Sequence, residues 1–321
     1  MKPSRFIAVK LPCYRCNLNC QYCYAPERRS KIKSEALFAP ITDITSALHP
    51  KNMGGRCVIN LFCDAEPFCS DYTNQLICGL LNSGHMVIIS TNMTCTRQIR
   101  MLIGACAQKT RHLLFMASLH YNEILRLGLD EEFFDNLRFV RVNGASWQMR
   151  MCFAPEYVSK MDEIKRRCLR EVGQIPIFSR YRASCECERT SIMPILDSYM
   201  PDVGEPLYWL QKKLVDVKRT EFCWAGRYSM VLDLSNGSIR KCIAQPIEGN
   251  LFSYSCGGDI EPVGKSCQSQ WCSCGSQFLS WGLIPELQAQ SYYATFFRGN
   301  ETSVTTEVKG ALSHQLVEEQ I

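Results

Sequence analysis

The chain has 321 residues, 46% apolar and 21% charged, enough to build a large core and unlike a disordered polypeptide. Its formal charge of +5, from 36 basic and 31 acidic residues, is too mild an excess for a nucleic-acid surface, which needs a concentrated basic patch. Apolar runs fall far short of the roughly 20 residues of a spanning helix, and the N-terminus enters a strand with no h-region. The expectation is a cytoplasmic protein with neither nucleic acid nor membrane as partner.

Apolar runs predict strands at Arg5–Lys10, Cys57–Phe62, Met86–Ser90, Leu113–Ser118, Ser146–Cys152 and Ile175–Phe178. Amphipathic stretches between them, such as Tyr72–Asn82, Thr96–Cys106 and Glu156–Val172, predict helices. In the last of these, Val158, Met161, Ile164, Cys168 and Val172 recur at helical spacing. Six β/α units imply an α/β chain built on a partial (β/α)6 barrel, short of a full eight-fold one. Near Met200–Glu205 the rhythm stops, which predicts a first domain over 1–205. A hairpin follows, with Tyr228–Leu234, a Ser235-Asn236-Gly237 turn and Ser238–Ile243. It opens a small Cys-rich domain over 206–300, with a helix around Ser276–Gln288. Residues 301–321 are polar without an apolar period and read as a mobile tail.

The 20 cysteines are unusual for a chain without a signal peptide. Clustered thiols in such a chain point to metal or redox chemistry, and scattered ones to small core side chains. Cys13, Cys16, Cys20 and Cys23 lie together after the first strand. Two zinc knuckles are awkward there, because only three residues separate the two Cys pairs. Setting Cys13 aside as a structural thiol leaves C-x3-C-x2-C on one tight loop. Three ligands on a four-iron cluster leave one iron open, as an open coordination position distinguishes catalytic from structural zinc.

That loop, Cys16-Asn-Leu-Asn-Cys20-Gln-Tyr22-Cys23, closely resembles the signature of radical S-adenosylmethionine (radical SAM) enzymes. The resemblance implies a [4Fe-4S] cluster on Cys16, Cys20 and Cys23, with S-adenosylmethionine cleaved to a 5′-deoxyadenosyl radical and Tyr22 near the adenine. Cys63-Asp64-Ala65-Glu66-Pro67 stands where the family has Gly-Gly-Glu-Pro, which binds the cofactor's amino group; Asp64 and Ala65 replace the glycines. The bland alternative for Glu66 is a surface residue on a strand-ending loop. Thr91-Asn92-Met93 is similar to the family's Thr-Asn-Gly. Ser118 and His120, at the end of the fourth strand, stand where the family often contacts the ribose. His120 is equally a packing histidine. Alternation puts Gln148, Arg150 and Cys152 on one face of the fifth strand, where Arg150 either clamps a carboxylate or makes a structural ion pair.

Cys223, then Gly237 and Cys242, resembles the start of a SPASM/Twitch auxiliary domain, here in a shortened version. The resemblance implies one auxiliary [4Fe-4S] cluster on four of Cys223, Cys242, Cys267, Cys272 and Cys274, with Cys256 in reserve; structural zinc needs the same four thiolates. The implied function is radical oxidation of a peptide or protein substrate, with an electron donor such as flavodoxin or ferredoxin. The runner-up is the same chemistry on a small molecule such as a sugar. A non-catalytic iron–sulfur electron carrier is the third reading, and it has no need of the Glu66, Asn92 and Ser118 set.

Overall fold

The computed structural model describes residues 3–23, 25–26, 34–179, 222–253, 261–265 and 267. Strands β1 (Arg5–Lys10), β2 (Cys57–Phe62), β3 (Met86–Thr91), β4 (Leu113–Ser118), β5 (Ser146–Cys152) and β6 (Ile177–Ser179) pair in parallel, in chain order. Parallel neighbours need crossovers. These contain α1 (Ile41–Ala47), α2 (Thr73–Asn82), α3 (Thr96–Ala105), α4 (Tyr121–Leu127), α5 (Asp130–Val142) and α6 (Met161–Val172). Among the described residues no helix is long and apolar enough to cross a membrane.

Alternation along the strands sorts their side chains onto two faces. Ile7, Val9, Ile59, Leu61, Val87, Ile89, Leu113, Phe115, Trp147 and Met149 share one buried core with Leu76, Ile77 and Leu80 of α2, Ile99 and Leu102 of α3, Phe133 of α5 and Ile164 of α6. Each large apolar side chain buried there contributes about 1.5–3 kcal/mol. The opposite face carries Asn60, Ser90, Ser118, Gln148, Arg150 and Cys152, all half-buried. The helices therefore cover one side of the sheet, and the polar residues line the other. This is the α/β partial barrel expected from the sequence.

Strand β7 (Ser229–Asp233) pairs in parallel with β1, and continues antiparallel into β8 (Ser238–Arg240) and β9 (Gly249–Asn250). The expected hairpin is present, and its first strand covers the edge of β1 that β2 does not. Gly237 makes the turn possible. It has φ +72°, and a Cβ there would sit 2.4 Å from the Phe38 ring and 2.6 Å from Asn250 Nδ2. Cys272, Cys274, the reserve Cys256, the Met200–Glu205 boundary, the helix expected around Ser276–Gln288 and the expected tail all lie outside the described residues.

At the opposite end of the sheet from the site, His85 is fully buried just before β3. Its Nδ1 accepts from the Cys57 amide (3.1 Å), and its Nε2 meets the Leu48 carbonyl (2.7 Å). Burial lowers its pKa to about 4. The unfolded chain then binds this proton first, so the His85 contribution is whole above pH about 6.5 and is lost as the pH falls toward 4. Urea unfolding at pH 7.5 and 5.0 is expected to cost the wild type about 2 kcal/mol more than His85→Gln. Equal losses in the two proteins would remove His85 as the titrating group.

Candidate functional site

The chain leaving β1 forms a loop over residues 11–23 that is tied to the C-terminal ends of three other strands. The Glu66 amide, after β2, donates to the Arg15 carbonyl (3.1 Å). After β3, Asn92 Nδ2 donates to Asn17 Oδ1 (2.8 Å), and Asn17 Nδ2 donates to Thr94 Oγ1 (2.7 Å). After β4, the Asn19 amide donates to Glu123 Oε1 (2.8 Å), and Leu18 is buried in the core. Glu35 accepts from the Tyr14 and Arg15 amides and pairs with the Arg15 guanidinium (2.8 Å). A polar loop of this length holds one conformation only when its donors are satisfied; here the partners of Asn17 and Asn19 are more than 70 positions away.

Cys16, Cys20 and Cys23 are half-buried on this loop. Burial first, then the charges of Cys23 and Cys16, pushes the Cys20 thiol up to about 12. Three thiols within electrostatic reach of one another repel as thiolates, and a bound cation or cluster removes that repulsion. Among the described residues no three Cys, His, Asp or Glu side chains close around a single metal position. The donor set itself fits an iron–sulfur cluster: soft sulfur ligands on one short, partly buried loop.

Glu66 is 2% exposed, so it is not the surface residue of the bland alternative. Its Oε1 accepts from Thr91 Oγ1 (2.7 Å) and the Phe68 amide (3.2 Å), and its Oε2 accepts from the Asn92 amide (2.7 Å). Burial raises its pKa to about 8 against the pull of these three bonds. Asp64 faces Lys10 at 3.9 Å, and the Ala65 carbonyl accepts from the Cys63 thiol (3.2 Å). Pro67 opens the short turn Pro67–Cys69 that Glu66 caps. Met93, at the place of the family's glycine, has φ +58° and is fully buried. Asn136 Nδ2 holds its carbonyl at 2.9 Å, which offsets the strain of a left-handed residue with a side chain, about 1–2 kcal/mol.

Tyr22 lies between His120 and Tyr157. Its hydroxyl meets His120 Nδ1 at 2.6 Å and accepts from the Tyr157 hydroxyl at 3.3 Å. The Tyr22 ring stacks on His120 (5.9 Å) and meets Tyr157 edge-on (5.6 Å). Burial lowers His120 to about 4, so the imidazole is neutral at pH 7. Ser118 and Arg150 are register partners at the ends of β4 and β5. Arg150 Nε donates to Gln148 Oε1 (2.8 Å).

Asn17, Thr94, Glu123 and Tyr157 were not legible as site residues. Glu123 in the first turn of α4 reads as an ordinary dipole partner, and Tyr157 falls inside the Glu156–Val172 stretch without belonging to its apolar period.

Cys13 stands apart from the three loop thiols. It is fully buried, contacts Tyr72 Oη (3.1 Å), accepts from Ser70 Oγ (3.3 Å), and meets the Cys63 thiol, whose hydrogen bond lowers its pKa. Cys69 and Cys95 form a second pair, in which the Cys95 thiol lowers Cys69. In the hairpin region, Cys223 exchanges backbone hydrogen bonds with Gly264. The Gln245 amide donates to the Cys242 carbonyl (3.0 Å) while Gln245 Nε2 reaches Cys267 Sγ (3.9 Å). Three of the five expected auxiliary cysteines thus fall within the described residues, and Gln245 links two of them.

No protein-family model matches the chain, and no curated protein matches it. Solved structures do. Streptococcus suis SuiB bound to S-adenosylmethionine superposes with a TM-score of 0.51 at 15% identity, over 78% of this chain and 64% of SuiB. The chain therefore spans a little under two thirds of that protein's length. SuiB bound to precursor peptide SuiA gives 0.51 at 14% identity, over 79% of this chain and 63% of that one. The protein anSMEcpe with bound AdoMet gives 0.55 at 12% identity, over 78% and 79%. The chain has the fold of these proteins. At such identities the likeness concerns the arrangement of strands and helices, and the residues at the strand ends have to be argued from their own chemistry.

Proposed function

We propose that this chain is a radical SAM enzyme that oxidatively modifies a peptide or protein substrate. The observation that carries the proposal is the anchoring of the 11–23 loop, which bears Cys16, Cys20 and Cys23, by Glu66, Asn92, Thr94 and Glu123 at the C-terminal ends of β2, β3 and β4. Active sites of β/α barrels occupy that end. Cys16, Cys20 and Cys23 are the proposed ligands of a [4Fe-4S] cluster, and S-adenosylmethionine the proposed partner of its open iron. When bound, these groups supply one-electron reductive cleavage of a sulfonium bond and hydrogen abstraction from the substrate.

The parts proposed for the protein rest on the placement of its side chains. Glu66 and the backbone of Asp64, Ala65 and Pro67 hold the ammonium group of the cofactor. Tyr22, braced by Tyr157 and His120, presents its ring toward the adenine. Asn92, Ser118 and His120 serve the ribose side, and the Arg150 fork suits a carboxylate. Cys223, Cys242, Cys267, Cys272 and Cys274 supply four ligands to one auxiliary [4Fe-4S] cluster, a proposal favoured by the way Gln245 spans Cys242 and Cys267. The electron donor is a flavodoxin or ferredoxin. A peptide substrate is favoured because SuiB and anSMEcpe, which share the fold, have been solved with peptides bound.

The test is anaerobic reconstitution followed by assay of reductant-dependent 5′-deoxyadenosine release. About eight irons per chain and deoxyadenosine are expected, with release accelerated by the peptide fraction of a host extract. Iron without deoxyadenosine leaves an electron carrier and overturns the proposal. Acceleration by the low-molecular-mass fraction alone overturns the peptide assignment, and about four irons plus one zinc overturns the auxiliary cluster.

A further inference from the structure

Apart from the loop that carries Cys16, Cys20 and Cys23, two cysteines meet on the outer side of the sheet. Cys78 lies in the middle of α2 and Cys106 caps the C-terminus of α3. Their sulfurs are 2.6 Å apart, about half an ångström beyond the ~2.05 Å of a disulfide bond. None of the described cysteines is in a disulfide. We propose that Cys78 and Cys106 are a reversible redox-modification site, a dithiol that closes to a disulfide by exchange with a small disulfide such as oxidised glutathione.

The frame around the pair holds the two helices in register. Near their N-terminal ends, Asn74 Nδ2 of α2 donates to the Gln98 carbonyl of α3 (3.0 Å). At the other end, Lys109 Nζ donates to Asn82 Oδ1 (2.8 Å), and the Lys109 amide donates to the Cys106 carbonyl (2.7 Å). The sulfurs are therefore brought together by contacts on both sides of them, which a disulfide needs because its geometry tolerates little backbone movement. Access is asymmetric. Cys78 is half-buried, the more open of the two, whereas Cys106 is 6% exposed. The hydrogen bond from Cys106 favours the Cys78 thiolate, which agrees with Cys78 as the attacking sulfur.

The steps balance as an ordinary exchange. The Cys78 thiolate attacks glutathione disulfide and expels one glutathione thiolate, leaving a mixed disulfide. Cys106 loses its proton to solvent and attacks the Cys78 sulfur, expelling the second glutathione. The protein gives up two electrons and one glutathione disulfide becomes two glutathiones. The product ties α2, which follows the Glu66 turn, to α3, which follows the Asn92–Thr94 turn, and so stiffens two walls of the site from behind.

The experiment uses the whole chain, equilibrated without oxygen in glutathione buffers of increasing oxidised fraction, quenched by alkylation and mapped by trypsin without reduction. The linked cysteine is assigned by fragment sequencing, because the tryptic segment Cys57–Arg97 also holds Cys57, Cys63, Cys69 and Cys95. A Met101–Lys109 peptide linked to a segment containing Cys78 is expected, lost again in dithiothreitol. The closed loop restricts the unfolded chain, so Tm is expected to rise by roughly 3–6 °C on oxidation. Cys106→Ser is expected to retain one glutathione on Cys78, and Cys78→Ser to show neither link nor Tm rise. The map of the wild type decides the matter even where a variant folds poorly. Alkylation of both Cys78 and Cys106 at every oxidised fraction, or a link from Cys106 to a different cysteine, overturns the proposal.

Discussion

Alanine at any one of Cys16, Cys20 or Cys23 is expected to lower bound iron by about four per chain and to cut 5′-deoxyadenosine release by more than about 100-fold. Groups that merely orient metal ligands already cost roughly 10–100-fold when removed, and a site with three protein ligands has none to spare. The nearby thiols are committed elsewhere: Cys13 to Ser70, Tyr72 and Cys63, and Cys69 to Cys95. The loop itself is held by Asn17, the Asn19 amide and Leu18, so each variant is expected to unfold within a few degrees of the wild type. Iron analysis, thermal unfolding and the deoxyadenosine assay on the three variants and Cys13→Ser check this together. A Cys13→Ser protein that loses the same iron would make Cys13 a ligand and sink the three-thiol assignment.

The strands were legible because each is a short apolar run between polar loops, and four of the six have the expected ends. The two that differ do so for physical reasons. Strand β3 runs on to Thr91, which still has a ladder partner in Ala117 of β4. Strand β6 runs over Ile177–Ser179 rather than Ile175–Phe178, since Pro176 has no amide to give to the ladder at its start and Ser179 still pairs with Cys152 at its end. The helix expected from Glu156 starts at Met161, because Pro155 begins a tighter turn over Pro155–Lys160. The hairpin at Gly237 was also legible, but its pairing with β1 was not; nothing local in Ser229–Asp233 says which edge it will join.

The site divides in the same way. Cys16, Cys20, Cys23 and Tyr22 belong to one segment, where spacing is informative. Their supports lie far along the chain: Glu123 is 104 residues from Asn19, and Tyr157 is 135 residues from Tyr22. Such partners are chosen by the closing of the sheet. Likewise Cys78 and Cys106 looked like scattered core thiols, and only the packing of α2 on α3 makes them a pair.

Glu66→Ala is expected to be the most destabilising single change at the site. The carboxyl is the common acceptor for the Thr91 hydroxyl and the Phe68 and Asn92 amides, all inside the protein. Truncation leaves three buried donors without it, at about 1–3 kcal/mol each, and opens a cavity between the ends of β2 and β3. A loss of about 3–5 kcal/mol is expected in urea unfolding, and a smaller one for Glu66→Gln, whose remaining oxygen serves one side of the junction. The direction of the pH effect separates the carboxyl's charge from its shape. Its folded pKa of about 8 lies above the usual carboxylate value. Its protonation therefore stabilises the fold fully below pH about 4.5, and that contribution is lost as the pH rises through 8. Between pH 6 and pH 9 the wild type is expected to lose about 2–3 kcal/mol more than Glu66→Gln. Equal losses would mean that another group titrates. Added S-adenosylmethionine supplies a cation for the carboxylate, so it is expected to shrink the wild-type loss and leave that of Glu66→Gln unchanged. A loss unaffected by the ligand would place the ammonium group away from Glu66 and return that residue to a purely structural part.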